Sequence, residues 1–159
     1  MKPPLPFPFA LNIGTDIVHL PRIARLLTRN NGSYFPRFTR RILHAREQAD
    51  FHARFAAALQ PTQSLPHNSS SHTIQITPEM TRWLAGRFAA KEAARKAAPR
   101  GAAQLGWKDV IVRVSEVDEG RPEVVYLDSL LGGEGGGRVG KLSISHDGEY
   151  VVAMVLAAG

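Results

Sequence analysis

The chain has 159 residues, of which 43% are hydrophobic and 21% charged, and we expect one globular domain over residues 1–159. It contains no cysteine, which excludes disulfide bonds, thiolate catalysis and cysteine-ligated zinc, and no apolar run approaches the roughly 20 residues of a membrane-spanning helix. The formal net charge of +6 favours an acidic partner, such as nucleic acid, an acidic protein or a phosphorylated small molecule.

The first half of the chain is predicted to form one strand followed by helices. An apolar run over residues 10–18 predicts the strand, with a turn near Pro21 and then a helix that ends by residues 30–32. Apolar residues near helical spacing predict a second helical region over about residues 37–59. Residues 56–76 are rich in Pro, Ser, Asn and His over much of their length, and we expect a flexible insertion there.

The second half is predicted to form mainly strands. Residues 110–114 and 123–127 are β-rich runs that flank a turn, which is the pattern of a hairpin. Residues 131–140 hold six glycines and are predicted to be a flexible linker. Two further strands are predicted at 141–145 and 150–156. The order of strand, helices and strands predicts an α+β fold, with helices packed on an antiparallel sheet.

Between these halves lies the most informative segment, an Ala-rich helix predicted over residues 78–97. A threonine before a first-turn proline marks its start. Three cations share one stripe of this helix, and a carboxylate and a lysine lie on an adjacent stripe. This arrangement suits a polyphosphate neutralised partly by the cations and partly by a metal; an ordinary solvated helix with one ion pair is the alternative. The residues are Arg87, Lys91 and Arg95 on the first stripe, and Glu92 and Lys96 on the second.

A second carboxylate, Asp16, lies among apolar residues in the first predicted strand. A buried carboxylate must be paired, hydrogen-bonded or bound to metal. Together with Glu92, phosphate oxygens and waters, Asp16 would supply the oxygen ligands that Mg²⁺ prefers. A capping role for Asp16 at a strand-to-helix turn is the alternative.

A histidine follows small hydroxyl residues at the end of the strand predicted over 141–145. His146, beside Ser145 and Asp147, could bind phosphate or act as a general base, and a turn residue without function is the alternative. A Ser-His-Asp triad is not indicated, because adjacent residues of a strand point to opposite faces of the sheet.

The basic character also raises nucleic-acid binding. Arg37, Arg40 and Arg41 are interleaved with Phe35 and Phe38, as in single-strand binders. The sequence has no glycine-aromatic RNA motif, helix-turn-helix or zinc module, so we do not expect nucleic acid as a partner. A basic, non-catalytic binding domain for RNA or an acidic protein is the alternative function.

Taken together, these motifs resemble the holo-[acyl-carrier-protein] synthase group of the 4′-phosphopantetheinyl transferase superfamily. The helix pattern is the most specific part, and the other pieces follow in the family's order over most of the chain outside the 56–76 insertion and the Gly-rich linker. The matching segments are residues 13–18, 22–23, 41–43, 46–47, 83–97, 120–122 and 143–146.

The resemblance implies a phosphopantetheinyl transferase fold and transfer of the 4′-phosphopantetheine arm of coenzyme A to a serine of an apo acyl carrier protein, with release of adenosine 3′,5′-bisphosphate. Asp16 and Glu92 would hold Mg²⁺, and Lys96 would pair with phosphate and a metal-binding carboxylate. The serine proton would pass to a water at the metal, to Glu92 through water, to His146 or to Asp147. Coenzyme A would be bound by Arg87, Lys91, Lys96, Gly120, Arg121, Pro122, Ser145 and His146.

The resemblance also implies partners and a place in the cell. Arg22 and Arg25 would face the acidic carrier, and small members of the group form homotrimers with active sites between subunits. Neither a membrane nor a signal peptide is expected. We expect fatty acid biosynthesis in a mitochondrial matrix or a bacterial cytoplasm; the insertion and the Arg-rich, acid-poor start favour the matrix. Two residues depart from the family pattern: His19 stands where a carboxylate is common, and Asp147 where many members carry threonine.

Overall fold

The computed structural model describes residues 3–60, 74–99, 101–118, 120–127 and 137–159. No helix in these ranges is both long and apolar enough to cross a membrane. The helices are α1 (Leu20–Thr28), α2 (Phe35–Ile42), α3 (Ala45–Arg54), α4 (Ala56–Leu59) and α5 (Pro78–Ala97), with short 3₁₀ segments at Ala102–Gln104 and Trp107–Asp109. The strands are β1 (Leu11–His19), β2 (Val110–Val114), β3 (Pro122–Leu127), β4 (Gly137–Asp147) and β5 (Tyr150–Ala158).

The strands form one sheet in the order β1-β5-β4-β3-β2, and all neighbours are antiparallel. Asp16 on β1 lies opposite Ala153 on β5, which in turn lies opposite Ile144 on β4. Alternate residues of each strand face α5 and form the core with it and with α1 to α3. The opposite face of β1, β5 and β4 carries exposed apolar side chains within the described residues.

Helix α5 packs unusually close to β1 because both surfaces are small there. A Cβ atom at Gly14 would lie 2.0 Å from the carbonyl oxygen of Ala93 and 2.7 Å from the backbone nitrogen of Ala97. Farther across the same sheet, the Tyr126 hydroxyl of β3 donates a hydrogen bond of 2.8 Å to the Ala94 carbonyl oxygen. Glycine on the strand and alanine on the helix therefore let α5 rest directly on the sheet, where its longer side chains reach the adjacent strand.

The structure confirms the predicted α+β fold and corrects several boundaries. Residues 37–59 do not form one helical region, since the backbone is extended at Leu43 and His44 and a new helix begins after them. His44 Nδ1 accepts a hydrogen bond from the Arg46 N–H, and Glu47 accepts one from the His44 N–H, so these two side chains cap α3.

Two other boundaries were also predicted wrongly. The predicted turn near Pro21 is absent, because α1 starts directly after β1 with that proline in its first turn, where no amide hydrogen is needed. Residues 137–140 belong to β4 rather than to the Gly-rich linker, since they pair with β3. The rest of the predicted linker, residues 131–136, and residues 61–73 of the predicted insertion lie outside the described residues.

Candidate active site

The first predicted carboxylate lies where β1 meets the last turn of α5. Asp16 is on the helix-facing side of β1, with 19% of its side chain exposed, and its Oδ1 lies 2.9 Å from Lys96 Nζ. The same ammonium donates a hydrogen bond of 2.8 Å to the Thr15 carbonyl oxygen. Because the Lys96 side chain is 47% exposed, this ion pair lies at the open edge of the helix–sheet contact.

The second predicted carboxylate lies one helical turn before Lys96. Glu92 Oε1 accepts a hydrogen bond of 2.8 Å from Arg95 Nη1 and another from the indole Nε1–H of Trp107. Positions four apart share one side of a helix, so Lys96 connects the Glu92 side of α5 to Asp16 on β1. The two carboxylates are 76 positions apart in the sequence, yet Asp16 contacts a lysine that lies one helical turn after Glu92.

These two carboxylates fit a magnesium ion in their donor chemistry. Within the described ranges, no group of three or more His, Asp or Glu side chains could hold a metal by itself. Asp16 Oδ2 and Glu92 Oε2 have no hydrogen-bond partner among the described residues. An ion held by these two oxygens would need further oxygen ligands from a substrate and from water, as Mg²⁺ sites that bind phosphates commonly have.

Lys91 occupies a different environment from the one expected for a phosphate-binding residue. Its side chain is fully buried, and Nζ contacts Glu47 Oε2 at 2.5 Å and the carbonyl oxygens of Trp107 at 2.8 Å and Val110 at 2.5 Å. Burial lowers the pKa of Lys91 below its ordinary value, and the Glu47 carboxylate opposes that shift. The three protons of the ammonium have protein partners, so the structure places Lys91 in the core rather than at the site.

Arg87 lies in a cationic cavity beside the first half of α5. Its guanidinium stacks over the Trp83 ring, 4.1 Å from the ring centroid, and its Nε is buried without a hydrogen-bond partner in the described part of the chain. Burial lowers the pKa of Arg87, while Glu47 and Asp50 raise it. The cavity has a volume of about 540 Å³ and is lined by Arg54, Phe55, Glu79, Arg82, Trp83, Arg87 and His146.

The structure separates His146 from its two sequence neighbours. His146 lies on the α5 side of β4 and lines the same cavity as Arg87. Ser145 and Asp147 are exposed on the opposite face of the sheet, since successive residues of a strand alternate between faces. Of the predicted strand-end residues, only His146 therefore lies with the cations of the cavity.

The turn at Gly120, Arg121 and Pro122 lies far from Asp16. It joins β2 to β3, and β3 is separated from β1 by β4 and β5. Neighbouring strands lie roughly 4.8 Å apart, which puts the turn about 14 Å from β1 across the sheet. Gly120 has a φ of +73°, a conformation that favours glycine, and Arg121 is exposed. One copy of the described chain therefore does not bring this turn to the two carboxylates.

The remaining predicted residues lie near the start of α1. Arg22 and Arg25 are both exposed on that helix, as a docking surface requires. His19, the residue that replaces a common family carboxylate, has its Nε2 3.3 Å from Glu149 Oε2 and its ring 5.0 Å from that of Tyr150. A carboxylate thus lies beside this position, contributed by the β4–β5 turn.

Sequence reasoning missed three residues that the structure places at these sites. Arg54 and Arg82 line the cavity with Arg87, and Trp107 contacts Glu92. Arg82 precedes Arg87 on the same predicted helix, so helical spacing could have included it. Trp107 lies between the predicted helix and hairpin, and its only signal was a large aromatic residue in a segment without a predicted element.

Comparisons with known proteins agree with this fold. Residues 12–155 match the family model of the 4′-phosphopantetheinyl transferase superfamily. The chain is 68% identical over 98% of both chains to 4′-phosphopantetheinyl transferase B, mitochondrial, of Aspergillus fumigatus, and 35% identical over 95% of both to holo-[acyl-carrier-protein] synthase of Gloeobacter violaceus. A crystal structure of holo-(acyl-carrier-protein) synthase from Bacillus anthracis in complex with CoA (3′,5′-ADP) is similar at 28% identity and a TM-score of 0.60, covering 93% of this chain and 96% of that one.

The chain belongs to the 4′-phosphopantetheinyl transferase superfamily, in its holo-[acyl-carrier-protein] synthase group. The family and the enzyme class predicted from the sequence are both confirmed. The alternative of a basic, non-catalytic binding domain is not favoured by these relatives.

Proposed function

We propose that the protein transfers the 4′-phosphopantetheine arm of coenzyme A to a serine of an acidic acyl carrier protein and releases adenosine 3′,5′-bisphosphate. The observation that carries this proposal is the arrangement along α5, where Asp16, Lys96 and Glu92 lie at one end and the cationic cavity at the other. The names of the related proteins support a transferase reaction with acyl carrier protein and coenzyme A as substrates.

The cavity has the chemistry to bind the phosphates of coenzyme A. Arg54, Arg82 and Arg87 supply guanidinium groups, which bind phosphate oxygens through paired N–H donors. The Nε of Arg87 is buried and lies 4.0 Å from Glu47 Oε1, so the guanidinium is held from the core side while Arg87 lines the cavity. Trp83 and Phe55 offer aromatic surfaces for an adenine ring in the same cavity. We do not assign Lys91 to coenzyme A, because its ammonium is enclosed by Glu47 and two backbone carbonyls.

At the other end of α5, Asp16 and Glu92 would hold a magnesium ion through their free carboxylate oxygens. A bound Mg²⁺ would act there as a Lewis acid and template for the diphosphate. Lys96 holds Asp16 in place and, being half exposed, can also donate to a phosphate oxygen. Phosphoryl transfer depends mainly on positioning and charge neutralisation, so this set needs no protein nucleophile.

In the transfer step, the serine Oγ of the carrier forms a bond to the phosphorus that bears the pantetheine arm. The bond from that phosphorus to the bridging oxygen of the diphosphate breaks, and adenosine 3′,5′-bisphosphate leaves with that oxygen. The serine hydroxyl also loses its proton, and the candidate acceptors are a water at the metal site, Glu92 through water, His146 and Asp147. Of the two candidates at the end of β4, His146 faces the cavity within one chain and Asp147 faces away from it.

The proposal is tested by incubating the purified protein with coenzyme A, Mg²⁺ and apo acyl carrier protein, and weighing the carrier by mass spectrometry. We expect the carrier to gain the mass of one phosphopantetheine group. Glu92→Gln and Asp16→Asn should lower the transfer rate by roughly 100-fold or more, because each replaces a charged ligand of the proposed magnesium ion with a neutral amide. No mass gain with several carriers would contradict the reaction, and unchanged rates in both variants would remove the metal assignment.

We further propose that the active enzyme is a homotrimer with active sites between subunits. The open face of the sheet is apolar and exposed at Ile13 and Ile17 of β1 and at Val152, Met154 and Leu156 of β5. Exposed apolar patches of this kind are typical of interfaces. A neighbouring subunit could also supply the Gly120–Pro122 turn, Ser145 and Asp147, which one chain keeps apart from the carboxylates. Light scattering after size exclusion should give three times the chain mass of 17.4 kDa, and a monomer that is active would contradict this assembly.

We base the proposed carrier on the exposed positive charge of α1, and the proposed compartment on the name of a similar protein. Arg22 and Arg25 expose cations on α1 for the acidic surface of a carrier, and the 68% identical Aspergillus relative is named as mitochondrial. We propose the mitochondrial matrix as the compartment and fatty acid biosynthesis as the process. A fluorescent fusion that stays outside mitochondria would contradict the location.

A further inference from the structure

We infer that Trp107 is a positioning residue that orients Glu92 for the divalent ion, acting together with Arg95. The inference rests on the metal role that we propose for Glu92. It starts from the observation that both donors bind the same carboxylate oxygen, Oε1. Oε2 has no partner among the described residues. A carboxylate held through one oxygen presents the other in a fixed direction, which is how neighbouring side chains commonly orient metal ligands.

The backbone of Trp107 is anchored by the buried lysine of α5. Lys91 Nζ donates a hydrogen bond of 2.8 Å to the Trp107 carbonyl oxygen while its ammonium is paired with Glu47. The 3₁₀ turn at Trp107–Asp109 is closed by Asp109, whose Oδ2 accepts a hydrogen bond of 2.8 Å from the Gly106 N–H. Lys91 therefore fixes the backbone of Trp107, and Trp107 in turn contacts Glu92, which follows Lys91 in the sequence.

The indole ring is also confined by its surroundings. The guanidinium carbon atoms of Arg41 and Arg95 lie 4.9 Å and 5.3 Å from the Trp107 ring, and the Phe88 ring centroid lies 5.9 Å away. Two cations and an aromatic ring leave the indole little freedom to rotate. Its N–H is consequently directed at Glu92 before any ligand binds.

The second donor is fixed in the same way. Besides Glu92, Arg95 donates to the Leu105 carbonyl oxygen through Nε at 2.6 Å and to the Ala102 carbonyl oxygen through Nη2 at 2.8 Å. These bonds tie the chain after α5 to the last turns of the helix. The segment over residues 102–109 thus holds Glu92 in two ways. Trp107 contacts Glu92 directly, and the carbonyl oxygens of Ala102 and Leu105 fix Arg95, which also contacts it.

The experiment measures binding of Mn²⁺ in the presence of coenzyme A and without carrier, so that no turnover occurs, from the electron paramagnetic resonance signal of the free ion. Trp107→Phe keeps an aromatic ring and removes the N–H; we expect the Kd for Mn²⁺ to rise about tenfold. Tyr126→Phe is the matched control, because it removes one aromatic hydrogen bond to α5 away from Glu92. Its Kd should stay within twofold of that of the unmodified protein.

A double variant separates positioning from a general loss of structure. Glu92→Gln should weaken Mn²⁺ binding, and adding Trp107→Phe to it should change the Kd less than twofold, because the oriented ligand is already lost. An unchanged Kd in Trp107→Phe, or an equal loss in both backgrounds, would overturn the inference. If thermal unfolding shows that Trp107→Phe does not fold, Arg95→Met removes the other donor to Oε1, and unaltered Mn²⁺ affinity in that variant would equally overturn it.

The outcome is distinguishable from failure of the proposed function. Weakened binding in Glu92→Gln without an effect of Trp107→Phe overturns the positioning role alone. Unchanged binding in both overturns the positioning role together with the metal assignment, while transfer itself is judged by the carrier mass.

Discussion

Helix α5 carries two lysines that differ in exposure. Lys91 lies on its inward side, and Lys96 lies in its exposed last turn. Lys91 is fully buried against Glu47, whereas Lys96 is half exposed against Asp16. A buried ion pair is costly to break, because one charge is left without water or a partner. An exposed pair adds little to stability and remains accessible to a ligand. The comparison shows that the same residue type on one helix can serve the fold or the site according to its depth.

The largest expected effect is on stability, at the buried end of this comparison. Lys91→Met should lower the free energy of unfolding by about 3–5 kcal/mol, because the buried Glu47 would lose its nearest counter-ion, at 2.5 Å, and keep only Arg87 at 4.0 Å. The measurement is urea-induced unfolding followed by circular dichroism. The double variant Lys91→Met with Glu47→Gln should recover part of the loss, since the Glu47 carboxylate is then no longer a buried charge without its lysine. A loss below 1 kcal/mol in the single variant would show that the pair is not a structural anchor.

Lys96→Ala should have the opposite effect, with a large loss of transfer activity and a small change in stability. We expect transfer to the carrier to fall by roughly 100-fold, because a cation beside the diphosphate is lost, while stability changes by less than about 1 kcal/mol. Lys141→Ala breaks another exposed ion pair, with Asp118 at 2.8 Å, and serves as the control for stability. Rate and unfolding are measured on the same preparations. A larger stability loss in Lys96→Ala than in Lys91→Met would reverse the comparison.

Gly14→Ala tests the close packing that sets the distance between β1, which carries Asp16, and α5, which carries Lys96. The added Cβ would overlap with the Ala93 carbonyl oxygen, so β1 and α5 must separate, at a cost of about 1–3 kcal/mol. Transfer should fall as well, because Asp16 moves with β1. Gly86→Ala on α5 is the matched control, since its added Cβ would meet no described atom within 4 Å apart from its chain neighbours and the nearby backbone of its own helix. Calorimetry should show a lower Tm for the first variant and an unchanged or higher Tm for the second.

The smallest expected effect concerns Tyr126, whose hydroxyl donates a hydrogen bond to the Ala94 carbonyl oxygen of α5. Burial raises the pKa of Tyr126 to about 12, compared with its ordinary value of 10.0. The unfolded chain therefore loses this proton at lower pH than the folded protein, and the stability contributed by Tyr126 is lost as pH rises from about 10 to 12. Tyr126→Phe should flatten this part of the stability–pH curve measured by urea unfolding. An identical slope in both proteins would contradict the assignment.

Much of the fold and part of the site could be predicted from local patterns. The cap at Thr77, where the side chain accepts a hydrogen bond from the Met80 N–H, and the hairpin strands at 110–114 depend on neighbouring residues, so the sequence specifies them directly. The break at Leu43 and His44 was missed because histidine is an uncommon capping residue. The start of β4 at Gly137 was missed because glycines resemble a linker unless a partner strand pairs with them.

The sequence by itself determined the family and the fold class, and it predicted a metal-binding role for Asp16 and Glu92, because these depend on residue identity and order. Only the tertiary structure decided which cations of α5 reach the site. Helical spacing predicted the same phosphate-binding role for Arg87 and Lys91. In the structure Arg87 lines the cavity, whereas Lys91 pairs with Glu47 in the core. The same holds for Trp107, whose contact with Glu92 exists only after the chain beyond α5 folds back on it. Burial and pairing of this kind depend on residues distant in the sequence, and a local pattern does not contain them.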